Sequence, residues 1–316
     1  KWVQYINALR LRYAVKLAGV DLETAKSHIA DAIQNLPMED LKWTIPQVQA
    51  AAALPGGGTW QRGIYERAYA AHVPNVIMNR MNFHNMEYEE GIDDPRLPVL
   101  AMPTKHNDYR GVSMNADAQD VEYKAGETYY PYADNIEASS TDNAKSMWSH
   151  ITFTHNDMPA DMFTLGEIDL LLAEVAVKNL GSTSKTAGEH IKDAIIHSTG
   201  FWYEMNALSG YGMELSEPWL SLTHPTKPDQ AIIDGYADMV KTTFDAKSDM
   251  DDQMEMIMQQ KYIHINLLRP YLLWGELRRT RHPKIEKMTF NGVVMAPIVE
   301  RMQYPSSEFE TNTDNY

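Results

Sequence analysis

Apolar side chains recur at intervals of three and four along two adjoining stretches, residues 2–18 and 22–36, joined only by Gly19-Val20-Asp21. That spacing predicts two helices, and so short a joint folds them back as an antiparallel pair. In the first, Trp2, Ile6, Leu9, Tyr13 and Leu17 share a face. In the second, Leu22, Ala25, Ile29, Ala32, Ile33 and Leu36 do, with Asp21 as cap and Pro37 as stop. A pair like this cannot bury its apolar face alone. It needs stacked neighbours, as tetratricopeptide hairpins do.

The plan returns later in the chain. Thr164-Leu165-Gly166-Glu167 has the form of a capping box and opens a helix with Ile168, Leu171, Leu172 and Val175 inward, ending near Gly181. A partner over about 185–198 turns Ala187, Ile191, Ala194 and Ile195 inward. Further helices are expected at about 229–246 and 251–279, the second broken at Pro270. Past Pro283 the pattern is short strand and coil. Between the pairs, residues 37–163 lose periodicity and gain Pro, Gly, Asn, Asp and Tyr. "LPGGGTW" reads as a flexible turn, and "DDPRLPVL" as a turn followed by a short extended run. The expected organisation is one mainly α domain: a hairpin at 1–36, a loop-rich layer at 37–163, and a hairpin, long helices and closing tail at 164–316. Irregular chain of that length within a compact domain usually carries function. "GFWYEMNALSGYG", from Gly200, reads as another aromatic loop.

The chain of 316 residues is 44% hydrophobic and 10% aromatic, enough to bury a core and too much for disorder. Its 43 acidic against 28 basic residues leave a net charge of −15, which disfavours nucleic acid. The absence of cysteine excludes disulfides, thiolate zinc sites and cysteine nucleophiles. No run reaches the roughly 18 apolar residues of a membrane helix; "LLLAEVAV" is broken by Glu174. Lys1-Trp2-Val3 enters directly into a helix, so the sequence reads as a piece of a longer protein, with any export signal or lipid-bearing cysteine upstream.

Candidate chemistry is sparse. His106-Asn107-Asp108 and His155-Asn156-Asp157 match no familiar ligand spacing and read as turns. Asp249, Asp251, Asp252 and Glu255 could hold a hard cation, but suit a capped helix start. Calcium is chemically admissible and no motif asks for it; no other cofactor is expected. There is no nucleophile elbow, phosphate loop or HExxH pattern. The loop aromatics are the richest feature. Their flat faces stack on sugars or peptide side chains, though any one ring could equally anchor a loop to the core.

The ending is the most specific stretch. "IMQQKYIHINLLRPYLLWGELRRTRHPKI" followed by "ERMQYPSSEFETNTDNY" resembles the close of the SusD/RagB family of surface nutrient-binding lipoproteins. Gln260, Lys261, Tyr262 and Ile263 match its first part. Trp274, Glu276, Arg278, Arg279, Thr280 and Pro283 match the middle, and Arg301, Tyr304, Pro305, Glu308, Asn312, Asn315 and Tyr316 the end. The opening hairpin, "DDPRLPVL" and "FTLGEIDLLLAEVAVKN" are similar to further family segments in the same order. Arg281 and His282 stand where the family commonly has glycine and an aromatic, and Pro270 near a break that usually carries glycine.

The resemblance implies a tetratricopeptide-like helical frame with a loop-rich second layer. It implies a lipid-anchored protein on the outer face of the outer membrane, in bacteria of the Bacteroidetes type. The implied activity is capture, without catalysis, of oligosaccharide or less often peptide, for a SusC-like TonB-dependent transporter. Stacking on loop aromatics makes Trp60, Tyr65, Tyr109 and Tyr130 the expected ligand contacts. Trp274, Arg278, Arg279, Arg301, Tyr304 and Pro305 are read as a structural clasp docking the tail on the last helix. Two rivals stand beside this reading: a helical-frame glycoside hydrolase using Glu89 or Asp93, and a tetratricopeptide scaffold for protein partners.

Overall fold

The computed structural model describes residues 1–43, 63–64, 67–68, 71–83, 86–104, 107–113, 145–155, 157–210, 223–287, 289–290, 292–294 and 300. The first hairpin is helix α1, Trp2–Leu17, and helix α2, Leu22–Ile33, with the Asp21 carboxylate accepting the Thr24 N–H at 3.1 Å. Its inward face differs from the expected one. Trp2, Ile6 and Tyr13 are 67%, 59% and 63% exposed, while Ala8, Leu11, Arg12, Ala14 and Val15 are buried. The small alanines let α1 approach its neighbours closely. Arg12 hides the stripe in the sequence, because a charged residue occupies its centre.

A short antiparallel pairing of β1, Leu41–Trp43, with β2, Ala160–Phe163, carries the chain to α6, Leu165–Val177. The layer between includes the short helices α3, Asn75–Met81; α4, Leu97–Leu100; and α5, His150–Phe153. The "RLPVL" run is therefore a helical turn with Pro98 in its first turn, not an extended run.

Helix α6 is buried on every side. Ile168, Leu171, Leu172 and Val175 face α1 and α2, while Leu170 and Ala173 face the later helices. The Thr164 hydroxyl caps it by accepting the Glu167 N–H at 3.3 Å, but the Glu167 side chain does not reach back. The complete capping box is at Thr186 and Glu189, opening α7, Ala187–Ala207. Helix α7 runs nine residues past the expected Ser198. Phe201, Trp202, Tyr203 and Met205, expected in a loop, are buried on its inner face. Burying them outweighs the roughly 1 kcal/mol that Gly200 costs a helix.

Helix α8, Gln230–Asp245, and α9, Met250–Ile265, complete the second core through Ile233, Tyr236, Phe244, Met254, Ile257 and Met258. The break falls where Pro270 places it. Asn266 takes a positive φ (35°), and Pro270 opens α10, Pro270–Thr280. A small ladder, β3 at Thr289–Phe290 and β4 at Val293–Val294, follows.

Buried charges bind these elements together. Glu167 accepts two bonds from Arg12 (2.6 and 2.9 Å) and one from Arg269 (2.6 Å), and Arg269 also lies 3.1 Å from Asp161. His264 bridges Thr164 (2.6 Å) and Ser198 (2.9 Å). Ser198 accepts from Arg96, which is also held by Asp94 and Gln260, and Tyr236 donates to Asp94 at 3.2 Å.

These groups respond to pH in opposite directions. Burial holds the His264 imidazole down at about 3. It cannot take the proton that the unfolded chain takes below pH 6.5, so stability falls as pH drops through that window. Burial pushes the Asp161 carboxyl up to about 6, against the pull of Arg269. Its contribution is full below the unfolded value of 3.8 and is lost as pH rises through 6. Between pH 6 and 4.5 the two offset. Burial alone would raise Glu276, but Lys261, Arg279 and Lys16 hold it at about 2, and Glu167 is likewise lowered. Their stabilisation is full above 4.5 and lost below it. Urea denaturation should therefore show no net slope from these two groups between pH 6 and 4.5 and a steep fall beyond. Asp161→Asn should uncover the His264 slope of about 1.4 kcal/mol per pH unit. A variant as level as the wild type over pH 6 to 4.5 would contradict this account.

Candidate functional site

The described part of the irregular layer is sewn together by backbone bonds between distant segments. Val73 N–H donates to Ser146, Asn75 to Val112 and Val112 to Val73, each at 2.9 Å. Met102 donates to Met147 and Ser149 to Leu100, each at 2.8 Å. Gly111 makes the close approach feasible, because a Cβ there would lie 2.5 Å from Asn75 Oδ1 and 2.8 Å from Met78 Cβ. Beneath lies an apolar core of Val73, Ile77, Met81, Leu97, Trp148, Phe153, Phe201 and Trp202. The layer is thus a rigid shelf set on the C-terminal half of α7.

Of the four expected ligand contacts, Tyr109 lies on this shelf; Trp60, Tyr65 and Tyr130 lie outside the described residues. Tyr109 is half-buried. Its N–H donates to Met86 (2.6 Å), its carbonyl accepts from Asn82 (2.9 Å), and its ring meets Tyr88 edge-on with centroids 6.5 Å apart. Desolvation pushes its hydroxyl up to about 12, so it remains a proton donor at neutral pH. The Tyr88 hydroxyl, also raised by burial, has no hydrogen-bond partner among the described residues. Trp148, Trp202 and Tyr203 are core residues, and the Tyr203 hydroxyl is occupied by the Pro95 carbonyl at 3.1 Å.

Beside the shelf, at the end of α7, lies a concavity of about 560 Å³ lined in part by Tyr203, Glu204, Asn206, His224 and Lys227. The hydrogen-bond order there is fixed. Thr152 donates its hydroxyl proton to the Val99 carbonyl (2.5 Å) and accepts from the Asn206 amide nitrogen (2.9 Å). The Asn206 oxygen therefore faces His224 Nδ1 at 2.8 Å, which must carry a proton. In the neutral ring, Nε2 is left as an acceptor, the complement of a ligand hydroxyl. No motif surrounds Asn206 or His224, and reading 200–210 as a loop concealed that Asn206 stands on a helix.

Other candidates serve structure. Asn107 takes a left-handed turn (φ 61°), and Asp108 holds Arg110 and Thr104. Asp249 caps α9, while Asp251 and Glu255 hold His282 at 3.0 and 2.8 Å. Asp93 closes its own turn by accepting the Glu89 N–H at 2.8 Å. In the expected clasp, Arg279 grips Glu174 with two bonds (2.5 and 2.9 Å) and also meets Glu276. Arg278 lies over the Trp274 ring at 4.9 Å, and both Arg278 and Arg281 pair with Glu300. Arg281 adopts the left-handed conformation (φ 64°) that ends α10, which suits the glycine expected there. Arg301, Tyr304 and Pro305 lie outside the described residues.

Known proteins share this architecture. A SusD homologue from Bacteroides fragilis superposes with a TM-score of 0.66 at 17% identity, covering 99% of this chain and 62% of its own. A chitin-binding protein gives 0.66 at 19% identity, covering 100% and 60%. A chitin-binding SusD homologue from Flavobacterium johnsoniae gives 0.52 at 17%, covering 99% and 58%. The chain thus spans 62%, 60% and 58% of the lengths of these three structures. No curated protein sequence matches it. The SusD-like family profile, described as SusD and RagB outer membrane lipoprotein, matches residues 1–316 from end to end, and the chain belongs to that family.

Proposed function

We propose that the chain is the glycan-holding part of a cell-surface binding protein, lipid-anchored at the outer membrane, that passes oligosaccharide to a SusC-like TonB-dependent transporter. The observation that carries this reading is the family match across the whole chain. Two of the solved structures it resembles are named for chitin binding, which makes chitooligosaccharides the first probe. Capture is by stacking and hydrogen bonding, without bond cleavage. Trp60, Tyr65 and Tyr130 supply ring faces together with Tyr109, and the shelf holds Tyr109 in place against the core.

Quenching of tryptophan fluorescence by a panel of chitin-, starch- and xylan-derived oligosaccharides tests the reading. One glycan class is expected to bind, and Trp60→Ala to weaken it by about 2 kcal/mol, some thirtyfold. Reducing ends that accumulate with time would replace the proposal with a glycoside hydrolase. Binding of peptides and of no glycan would replace the ligand class.

A further inference from the structure

The α6–α7 hairpin carries a buried histidine that makes no side-chain hydrogen bond among the described residues. His190 is 2% exposed, and among the described residues neither ring nitrogen has a hydrogen-bond partner. Leaving such a group unsatisfied is costly, and native proteins rarely do so without use. Asp169 reaches it from α6, and Asp193 from one turn further along α7. One candidate ligand atom from each of the three lies within 4.8 Å of the others. His190 Nδ1 and Asp169 Oδ1 are 3.7 Å apart, too far for a hydrogen bond. Two ligands of one tetrahedral zinc ion stand about 3.3 Å apart, given bonds of roughly 2.0–2.1 Å. The other Asp169 oxygen is held by His197 Nδ1 at 2.7 Å, which leaves Oδ1 turned toward His190. Outer histidine–carboxylate contacts of this kind orient the ligands of metal sites.

We propose that Asp169, His190 and Asp193 form a binding site for one divalent transition-metal ion of the zinc class. An imidazole with two carboxylates suits zinc or manganese better than calcium, which takes an all-oxygen shell. His190 and Asp193 are three apart on one helix and so share a face. The route in is open, because the Asp193 side chain is 23% exposed at the rim. Lys185, from an exposed position ahead of α7, now rests its ammonium on Asp193. It neutralises that carboxylate in the metal-free protein and must swing away when the ion enters, so it competes with metal. Neither the site nor its occupant depends on the glycan reading.

Zinc chloride titrated into the purified protein by calorimetry, with thermal unfolding in parallel, tests this. One ion per chain is expected, with Tm raised by about 5 °C when free zinc is some hundredfold above its dissociation constant. His190→Ala and Asp193→Asn should each weaken binding at least about tenfold, and Lys185→Ala should tighten it. Asp193 is at the rim, so its variant keeps the test decisive should His190→Ala fail to fold. Binding unchanged in Asp193→Asn would place the ion elsewhere and overturn the assignment. So would no binding at about 1 mM zinc, a free energy weaker than about −4 kcal/mol.

Discussion

Glu167→Ala is expected to lower the free energy of unfolding by about 3–5 kcal/mol, the usual cost of removing one member of a buried ion network. The Glu167 side chain is fully buried and accepts from Arg12 and Arg269. Its removal leaves Arg12 without its hydrogen-bonded carboxylate and Arg269 with Asp161 alone, in a desolvated space where Lys261 adds to the positive field. Domains of this kind have about 5–15 kcal/mol in total, so the loss should show in the urea midpoint and in soluble yield. Glu167→Gln keeps the shape and one acceptor, and should recover only part of the loss. The fourfold change Arg12→Met, Asp161→Asn, Glu167→Leu, Arg269→Met removes every charge of the network, Asp161 included, and should lie closer to wild type than Glu167→Ala. A loss under about 1 kcal/mol for Glu167→Ala would mean that the network is solvated.

Arg279→Ala is the second large expectation, at about 2–4 kcal/mol. The guanidinium clamps Glu174 with two bonds and touches Glu276, both fully buried. The loss is smaller than at Glu167 because other cations remain. Lys178 donates to Glu174 at 2.6 Å, and Lys16 and Lys261 lie 3.3 and 3.6 Å from Glu276. Arg279→Lys should rescue less than half, since an ammonium cannot make the two-pronged contact. Glycan affinity should stay at the wild-type value, because Arg279 bonds to Glu174 and Glu276 and does not line the concavity. An unchanged Tm, or an affinity that falls while Tm holds, would defeat the clasp reading.

Much of this architecture is legible in the sequence, and the exceptions have physical causes. Three-and-four spacing marks α2, α6 and α8 because their inward residues are aliphatic or aromatic. The same rule picks the outer face of α1. There the buried stripe is alanine-rich and centred on Arg12, whose place is set by Glu167 on another helix. The end of α7 is missed because Gly200 and a run of aromatics look like a loop until the shelf core is present to receive them. Thr164 and Glu167 have the form of a capping box, yet a buried glutamate with two arginines in reach leaves the cap to its hydroxyl partner alone. The site is harder to read than the frame. His190 gains meaning only beside Asp169, and His224 only beside Asn206 and Thr152; each pairing comes from tertiary folding rather than from spacing.

The pairing of Arg12 with Glu167 spans 155 positions of chain. At the usual synthesis rate of about 5–20 residues per second, α1 and α2 leave the ribosome roughly 8–30 seconds before the helix that completes them. For that interval Arg12 lacks its carboxylate partner, and Leu11 and Val15 lack the α6 residues they pack on. Closure then needs a contact of high sequence separation, which slows the search for the native state. Variants that weaken α6 should therefore be recognised first by their dependence on holding chaperones during production, before any deficit is visible in the finished protein.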